Sequence, residues 1–414
     1  MRLWSCQSAG ARAGDILLLR EGGVIDRDRL TVISALGVVQ ILAWGSSYYL
    51  PAVLAAPIAA DTGWPLSWIV GALSIGLLTA GAVAPHVGRA IGETGGRPVL
   101  AAAAILLATG QFTLGIAPNL PVFVFGWIVL GAGMAAGLYD AAFSTLGRLY
   151  GGSARSAITM LTLWGGFAST VCWPLSAYLV AHLGWRGTCF AYAAIQLLVS
   201  LPIILMALPK VPPELPKAKV GGGGPTVELL PSERTAFRIL SGIMIIGGAI
   251  TAIVGVHLLT LLQAQGIGLA AAVALGALVG PAQVGGRVVE MAGGGRHHPI
   301  WTMSAALGLI AFGLAMLAFG AGPIALALIF YGAGNGVFSI AKGTLPLAQF
   351  GPQRYAPLVG KLARPSLVAQ ALAPTAGALL LDKAGSNWTY VALMMLAVIN
   401  VLLGVCLWSA KNRK

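Results

Sequence analysis

From Pro121 to Leu146 this chain carries one charged side chain, Asp140, in an otherwise apolar run. Runs of this kind recur along its whole length, and they leave few folds open. A helix crosses a bilayer with about 20 predominantly apolar residues. Such spans can be placed at 31–57, 66–88, 98–117, 121–147, 156–182, 186–208, 236–262, 268–289, 299–320, 323–349, 355–381 and 386–409. Only 9% of the residues are charged, against about 25% in soluble domains, which excludes a water-soluble core. Glycine is abundant, at 57 of 414 residues, as suits helices that pack closely in lipid. The alternating ten-residue segments of a transmembrane barrel are absent. The expected fold class is an all-α membrane protein with twelve transmembrane helices.

Lysine and arginine concentrate on cytoplasmic loops. With both termini inside, all but four of the 25 fall on tails or inner loops; Arg186 and Lys383 lie outside, and Lys342 and Arg364 lie within spans. The chain then divides into a cytoplasmic tail (1–30), a six-helix bundle (31–208), a cytoplasmic linker rich in Pro and Gly (209–235), a second bundle (236–409) and a cytoplasmic tail (410–414). The first thirty residues lack the apolar core of a signal peptide, so the first span should stay as a membrane helix. The net charge of +13 is spread over short loops, where anionic headgroups are its natural counter-charge. Nucleic-acid binding is not expected. The cysteines (Cys6, Cys172, Cys189, Cys406) show no metal spacing and read as small apolar residues. His297 and His298 have no third ligand nearby, and neither metal nor cofactor is expected.

The two halves repeat each other. "APHVGRAIGE" (84–93) recurs as "PAQVGGRVVE" (281–290), "GAGM" (131–134) as "GAGN" (332–335), and Pro174 matches Pro374. Three matches in order at a spacing near 200 residues indicate duplicated six-helix units, the framework of many secondary transporters. In these motifs the chain resembles the major facilitator superfamily over nearly its whole length. That family's loop after helix two reads roughly G-x-x-x-D-R-x-G-G/R-R. Gly88, Gly95, Gly96 and Arg97 match it, whereas Gly92 stands at the acid's place and Glu93 at the next basic position. Glu93 is the candidate replacement carboxylate. With Arg89, and with Arg287 and Glu290 from the repeat, these residues form the expected gating-loop set. The arginine that many members carry in helix four is replaced by Trp127. "TGWPLSWIVGALSIGLLTAG" and "LGWRG" look most like the monocarboxylate-porter and oxalate/formate-exchange branch. The resemblance implies two pseudo-symmetric bundles whose first, fourth, seventh and tenth helices line a central cavity.

Asp140 and Lys342 are charges deep in spans four and ten. Unpaired, they would together cost roughly 5–7 kcal/mol. They are therefore expected to face each other across the two halves, near the cytoplasmic end. Two readings stand side by side. The pair is a gate whose opening lets Asp140 take up a proton, or it is a permanent structural contact, with Arg148 and Arg155 as other partners for the acid. Arg364 either holds a substrate carboxylate or snorkels to the inner surface. Gln40, Trp44 and Ser47 recur on one face of helix one, beside Gly45 and Pro51, and can line the site or simply pack. Asn335 and Gln370 can face the cavity or bond between helices. His257 reads more as a hydrogen-bonded buried histidine than as a proton carrier.

No G-x-x-x-x-G-K-[ST], H-E-x-x-H or G-x-S-x-G occurs, so neither a nucleotide-driven pump nor an enzyme is expected. The expected function is secondary transport of a small organic anion such as a monocarboxylate, by alternating access and coupled to protons if Asp140 gates. Proton-driven efflux of a drug or metabolite is the alternative. Substrate, protons and lipids are the expected partners of a monomer in a bacterial inner membrane.

Overall fold

A computed structural model describes residues 11–210, 229, 231–293 and 296–412. Most of the expected linker and the outermost ends of both tails lie outside the described residues. Those described form helices throughout: α1 (Ala11–Gly45), α2 (Pro51–Thr62), α3 (Leu66–Thr94), α4 (Gly96–Ile116), α5 (Leu120–Gly137), α6 (Tyr139–Tyr150), α7 (Ala154–Gly166), α8 (Ala168–Ile195), α9 (Leu201–Ala207), α10 (Pro231–Gln263), α11 (Leu269–Gly276), α12 (Val279–Ala292), α13 (Pro299–Phe319), α14 (Ile324–Phe350) and α15 (Pro352–Asn412). A π-helical turn, Gln196–Ser200, joins α8 to α9.

Nine helical stretches among these residues, some of them joined across breaks, are long and apolar enough to cross a membrane. Two of them, Leu120–Ala207 with 88 residues and Pro352–Ser409 with 58, exceed one crossing several-fold at about 1.5 Å per residue. Each folds back on itself. Gly184 (φ 67, ψ 177) reverses the chain inside α8, and Gly385 (φ 81, ψ 177) does the same inside α15. Only glycine adopts that left-handed extended backbone without strain. The two glycines stand 201 residues apart, at the period of the sequence repeat.

Several expected spans are not continuous. Helix one breaks at residues 46–50, where Gly45 and Pro51 bracket a turn. Its freed backbone is satisfied from within: Gln111 donates to the Ser46 carbonyl, and Gln196 Nε2 to Ser46 Oγ at 2.8 Å. Helix four breaks at Leu138 (φ −82, ψ −169), and helix eight at Ala277–Leu278. Irregular backbone at membrane depth persists where protein or a wet cavity satisfies it. At its other end α1 starts at Ala11, well inside the expected tail.

Apolar side chains gather into two cores. One is built almost wholly from Val32 to Leu208, the other from Ala236 to Leu407. They meet most tightly where α3 lies against α15. Gly81, Gly88 and Gly92 face the Arg364 carbonyl, Gly360 and Pro357 respectively. A Cβ at Gly88 would lie 2.5 Å from the Ala356 oxygen and 3.1 Å from the Gly360 Cα. At Gly88 nothing larger than hydrogen fits unless the two backbones move apart.

Candidate functional site

The contacts between the cores concentrate at the end of the molecule carrying Gly95, Gly151 and Gly351, which is also where cations are densest. There Arg155 of α7 pairs with Glu290 of α12 at 3.3 Å. Thr302 Oγ1 donates to the same carboxylate at 2.7 Å, and Arg155 also donates to the His297 carbonyl. The Tyr355 ring packs on Gly147, and its hydroxyl donates to the Gly343 carbonyl at 2.6 Å. Packing is looser at the opposite end. Leu269 and Val273 of α11 are about half exposed, a Cβ at Gly280 would meet nothing, and a cleft of about 510 Å³ opens between α2 and α8. It is lined by Ala52, Val53, Ser169, Thr170, Trp173, Pro174 and Ala177.

Between the ends lie Asp140 and Lys342, with Lys342 Nζ 3.8 Å from Asp140 Oδ1. The break at Leu138 puts Asp140 in the first turn of α6, where unpaired amides and the helix dipole favour negative charge. Its side chain is 34% exposed and that of Lys342 28%. A helix terminus, a cation and partial hydration together compensate this carboxylate. A wet pair at 3.8 Å is worth little net energy, so it can be broken.

Gln40 does not reach the space between the halves. It is fully buried, its Nε2 donates to the Gly137 carbonyl at 2.7 Å, and its Oε1 accepts from Trp44 Nε1 at 3.2 Å. It thus caps the end of α5 that the break exposes. Ser47, also buried, donates to the Ala43 carbonyl at 2.6 Å. Trp44 belongs to a chain of rings. Its centroid lies 5.3 Å from Tyr48, 5.8 Å from Tyr49 and 5.2 Å from Tyr139. Tyr49 continues to Trp173 at 6.1 Å, and Tyr139 stacks on Phe143 at 5.0 Å. In the second half Asn335 Oδ1 accepts from Thr251 Oγ1 at 3.0 Å. Gln370 Nε2 donates to Ser366 at 3.3 Å, and the His257 ring is 2.8 Å from the Pro374 carbonyl. Arg364 is exposed, on the side of α15 whose Gly360, Leu367 and Val368 pack against α3.

The expected gating loop is corrected in three places. Arg89 and Glu93 are exposed and form no ion pair among the described residues, so Glu93 does not replace the missing acid. Glu290 is bound to Arg155 rather than to the loop. Arg287 is not on a loop at all: it lies within α12 and is 5% exposed. Its Nη1 donates to the Thr162 carbonyl of α7 at 3.0 Å, and its Nε to Ser339 Oγ at 3.2 Å. Tyr139 Oη reaches the same Thr162 carbonyl, at 3.4 Å. Among the described residues no carboxylate pairs with Arg287. Gly88 packs in the α3–α15 seam, Gly95 ends α3, Gly96 meets Thr145, and Arg97 donates to the Leu205 carbonyl at 2.6 Å.

Among solved structures, the human organic anion transporter MFSD10 (TETRAN) superposes with a TM-score of 0.66 at 16% identity. The match covers 91% of this chain and 99% of that one. The transporter FucP in the outward conformation, a fucose:proton symporter of E. coli, superposes with a TM-score of 0.68 at 14% identity, covering 92% and 99%. In sequence the chain is 27% identical to human monocarboxylate transporter 11 over 313 residues, 70% of this chain. It spans 62% of that relative's length. The Major Facilitator Superfamily family model matches residues 36–360. With its helices packed into two cores and this match over most of its length, the chain belongs to the Major Facilitator Superfamily of membrane transporters.

Proposed function

We propose that this transporter carries an organic anion by alternating access, with its halves rocking around Arg287. The observation that carries the reading is the guanidinium itself: a buried charge between the two cores, hydrogen-bonded only to neutral groups among the described residues. A buried, unpaired cation is costly, and a substrate carboxylate is the natural partner, held by charge-assisted hydrogen bonds. The anionic substrates in the names of the human relatives support the same class. In this reading the chain crosses an inner (plasma) membrane twelve times in two bundles of six, with both termini on the cation-rich, cytoplasmic side. The seam is then closed inside and open outside. Arg155–Glu290 and Asp140–Lys342 are the contacts that must part for the inside to open, and Asp140, released from Lys342, is the group through which protons couple. Efflux of cationic drugs fits poorly, because the charge left over in the pathway is positive.

The test is a thermal-shift panel of acetate, benzoate, ethanolamine and glucose, followed by uptake into liposomes. A specific ligand stabilises the folded state by mass action. Anions should raise the melting temperature of the native protein and leave Arg287→Gln unmoved. Stabilisation by ethanolamine alone, or anion shifts that survive Arg287→Gln undiminished, would overturn the reading.

A further inference from the structure

The rings above Arg287 say more about the anion. We infer that the substrate is a monoanion with an aromatic or bulky apolar body, which slides along the aromatic chain while its carboxylate docks on Arg287; this rests on the anion reading proposed above.

Three observations converge. Trp173, Tyr49, Trp44 and Tyr139 follow one another at centroid separations of 5.2 to 6.1 Å, each within the 4.5–7 Å range over which aromatic faces attract. Trp173 is 46% exposed and lines the cleft between α2 and α8, and Trp44, Tyr48 and Tyr49 are half-buried, so the chain of rings leaves surface open to a ligand. The inner end of the chain meets the guanidinium, since Tyr139 and Arg287 share the Thr162 carbonyl. A ligand lying along the rings thus brings its end group to Arg287.

Charge counting sets the valence. Asp140 and Lys342 neutralise each other at 3.8 Å, which leaves Arg287 as the uncompensated buried cation among the described residues. One negative charge balances it, and a second would find no buried cation among the described residues. Size points the same way. The cleft beside Trp173, at the outer end of the rings, has about 510 Å³, within the about 300–1,000 Å³ of sites for drug-sized ligands, and a two-carbon acid held on Arg287 is too short to touch the outer rings. Stacking on tryptophan is also open to cations, but Arg287 at the inner end repels them.

The experiment compares phenylacetate, cyclohexylacetate, acetate and phenylmalonate as ligands of the full-length protein, by thermal shift and by inhibition of phenylacetate exchange in liposomes. Phenylacetate and cyclohexylacetate should half-saturate at concentrations at least tenfold below acetate, and phenylmalonate should bind at least tenfold more weakly than phenylacetate. Trp173→Leu removes an exposed ring that makes no hydrogen bond, and should raise the phenylacetate half-saturation about fivefold while leaving that of acetate unchanged. Trp44→Leu should do the same. Because that change also strips Gln40 of its donor, Trp173→Leu decides if the Trp44 variant does not fold. If acetate equals phenylacetate and both need Arg287, the inference falls and the anion reading stands. Loss of the Arg287 requirement itself would take both down.

Discussion

The glycine seam between α3 and α15 allows a steric test of which contacts belong to one state only. The change Gly88→Ala places a methyl 2.5 Å from the Ala356 oxygen and 3.1 Å from the Gly360 Cα. Ordinary contact begins at 3.4 Å, so the two backbones must part by most of an ångström. Overpacking of this kind costs about 1–3 kcal/mol. The cost is paid only while the seam is closed, so it acts on the equilibrium between states. At about 1.4 kcal/mol per factor of ten, the closed-seam population should fall about 5- to 150-fold relative to the alternative. Spin labels at Glu93 on α3 and Gln353 on α15, both exposed, would report the separation by double electron–electron resonance, with Cys6 and Cys406 replaced. The native protein should show mainly the short distance, and Gly88→Ala a dominant longer one. Gly280→Ala, whose methyl meets nothing within 4 Å, should leave the distribution unchanged. A folded Gly88→Ala protein with the native distribution would refute the idea that this seam opens during the cycle.

Glu290→Gln removes the charge that holds Arg155, Thr302 and α12 together; the same label pair should shift toward the longer distance about fivefold, and a closed population within twofold of native would deny the latch a role. Asp140→Asn should abolish uptake driven by a pH gradient while leaving substrate exchange intact, and full pH dependence in that variant would exclude a proton role for Asp140. Gln40→Leu orphans the Gly137 carbonyl and Trp44 Nε1, each costing about 1–3 kcal/mol. The melting temperature should drop by several degrees, while the half-saturating substrate concentration of the surviving protein stays within twofold of native. A changed affinity without lost stability would return Gln40 to the binding site.

The Asp140–Lys342 contact was legible because lipid makes stray charge so costly that two opposite charges at one depth leave few solutions. The chain reversals at Gly184 and Gly385 were legible as well, since they fall in the gaps between the spans 156–182 and 186–208 and between 355–381 and 386–409. What stayed hidden follows from the same apolar uniformity. Nothing in "AAGLYDAAF" announces that the backbone leaves the helix at Leu138, because apolar composition records depth and not dihedral angles. Without that break, Gln40 looked free to bind a solute, when its amide is occupied by the Gly137 carbonyl. Arg287 was misplaced for another reason. The repeat pairs it with Arg89, which is on the surface, yet "VGGRVV" holds it amid apolar neighbours inside its own span. That local context was the better guide. Trp173 and Tyr49 carried no signal beyond being aromatic, since ring-to-ring adjacency is a tertiary property.

The solitary guanidinium of α12 also bears on how membrane voltage enters the cycle. If a monoanion rides on Arg287, the loaded site is neutral and crosses the field without electrical work, whereas the empty site carries one positive charge. Each elementary charge moved through the field is worth about 2.3 kcal/mol per 100 mV. Voltage would then act on the return of the unloaded carrier, so swapping one anion for another should outrun net accumulation.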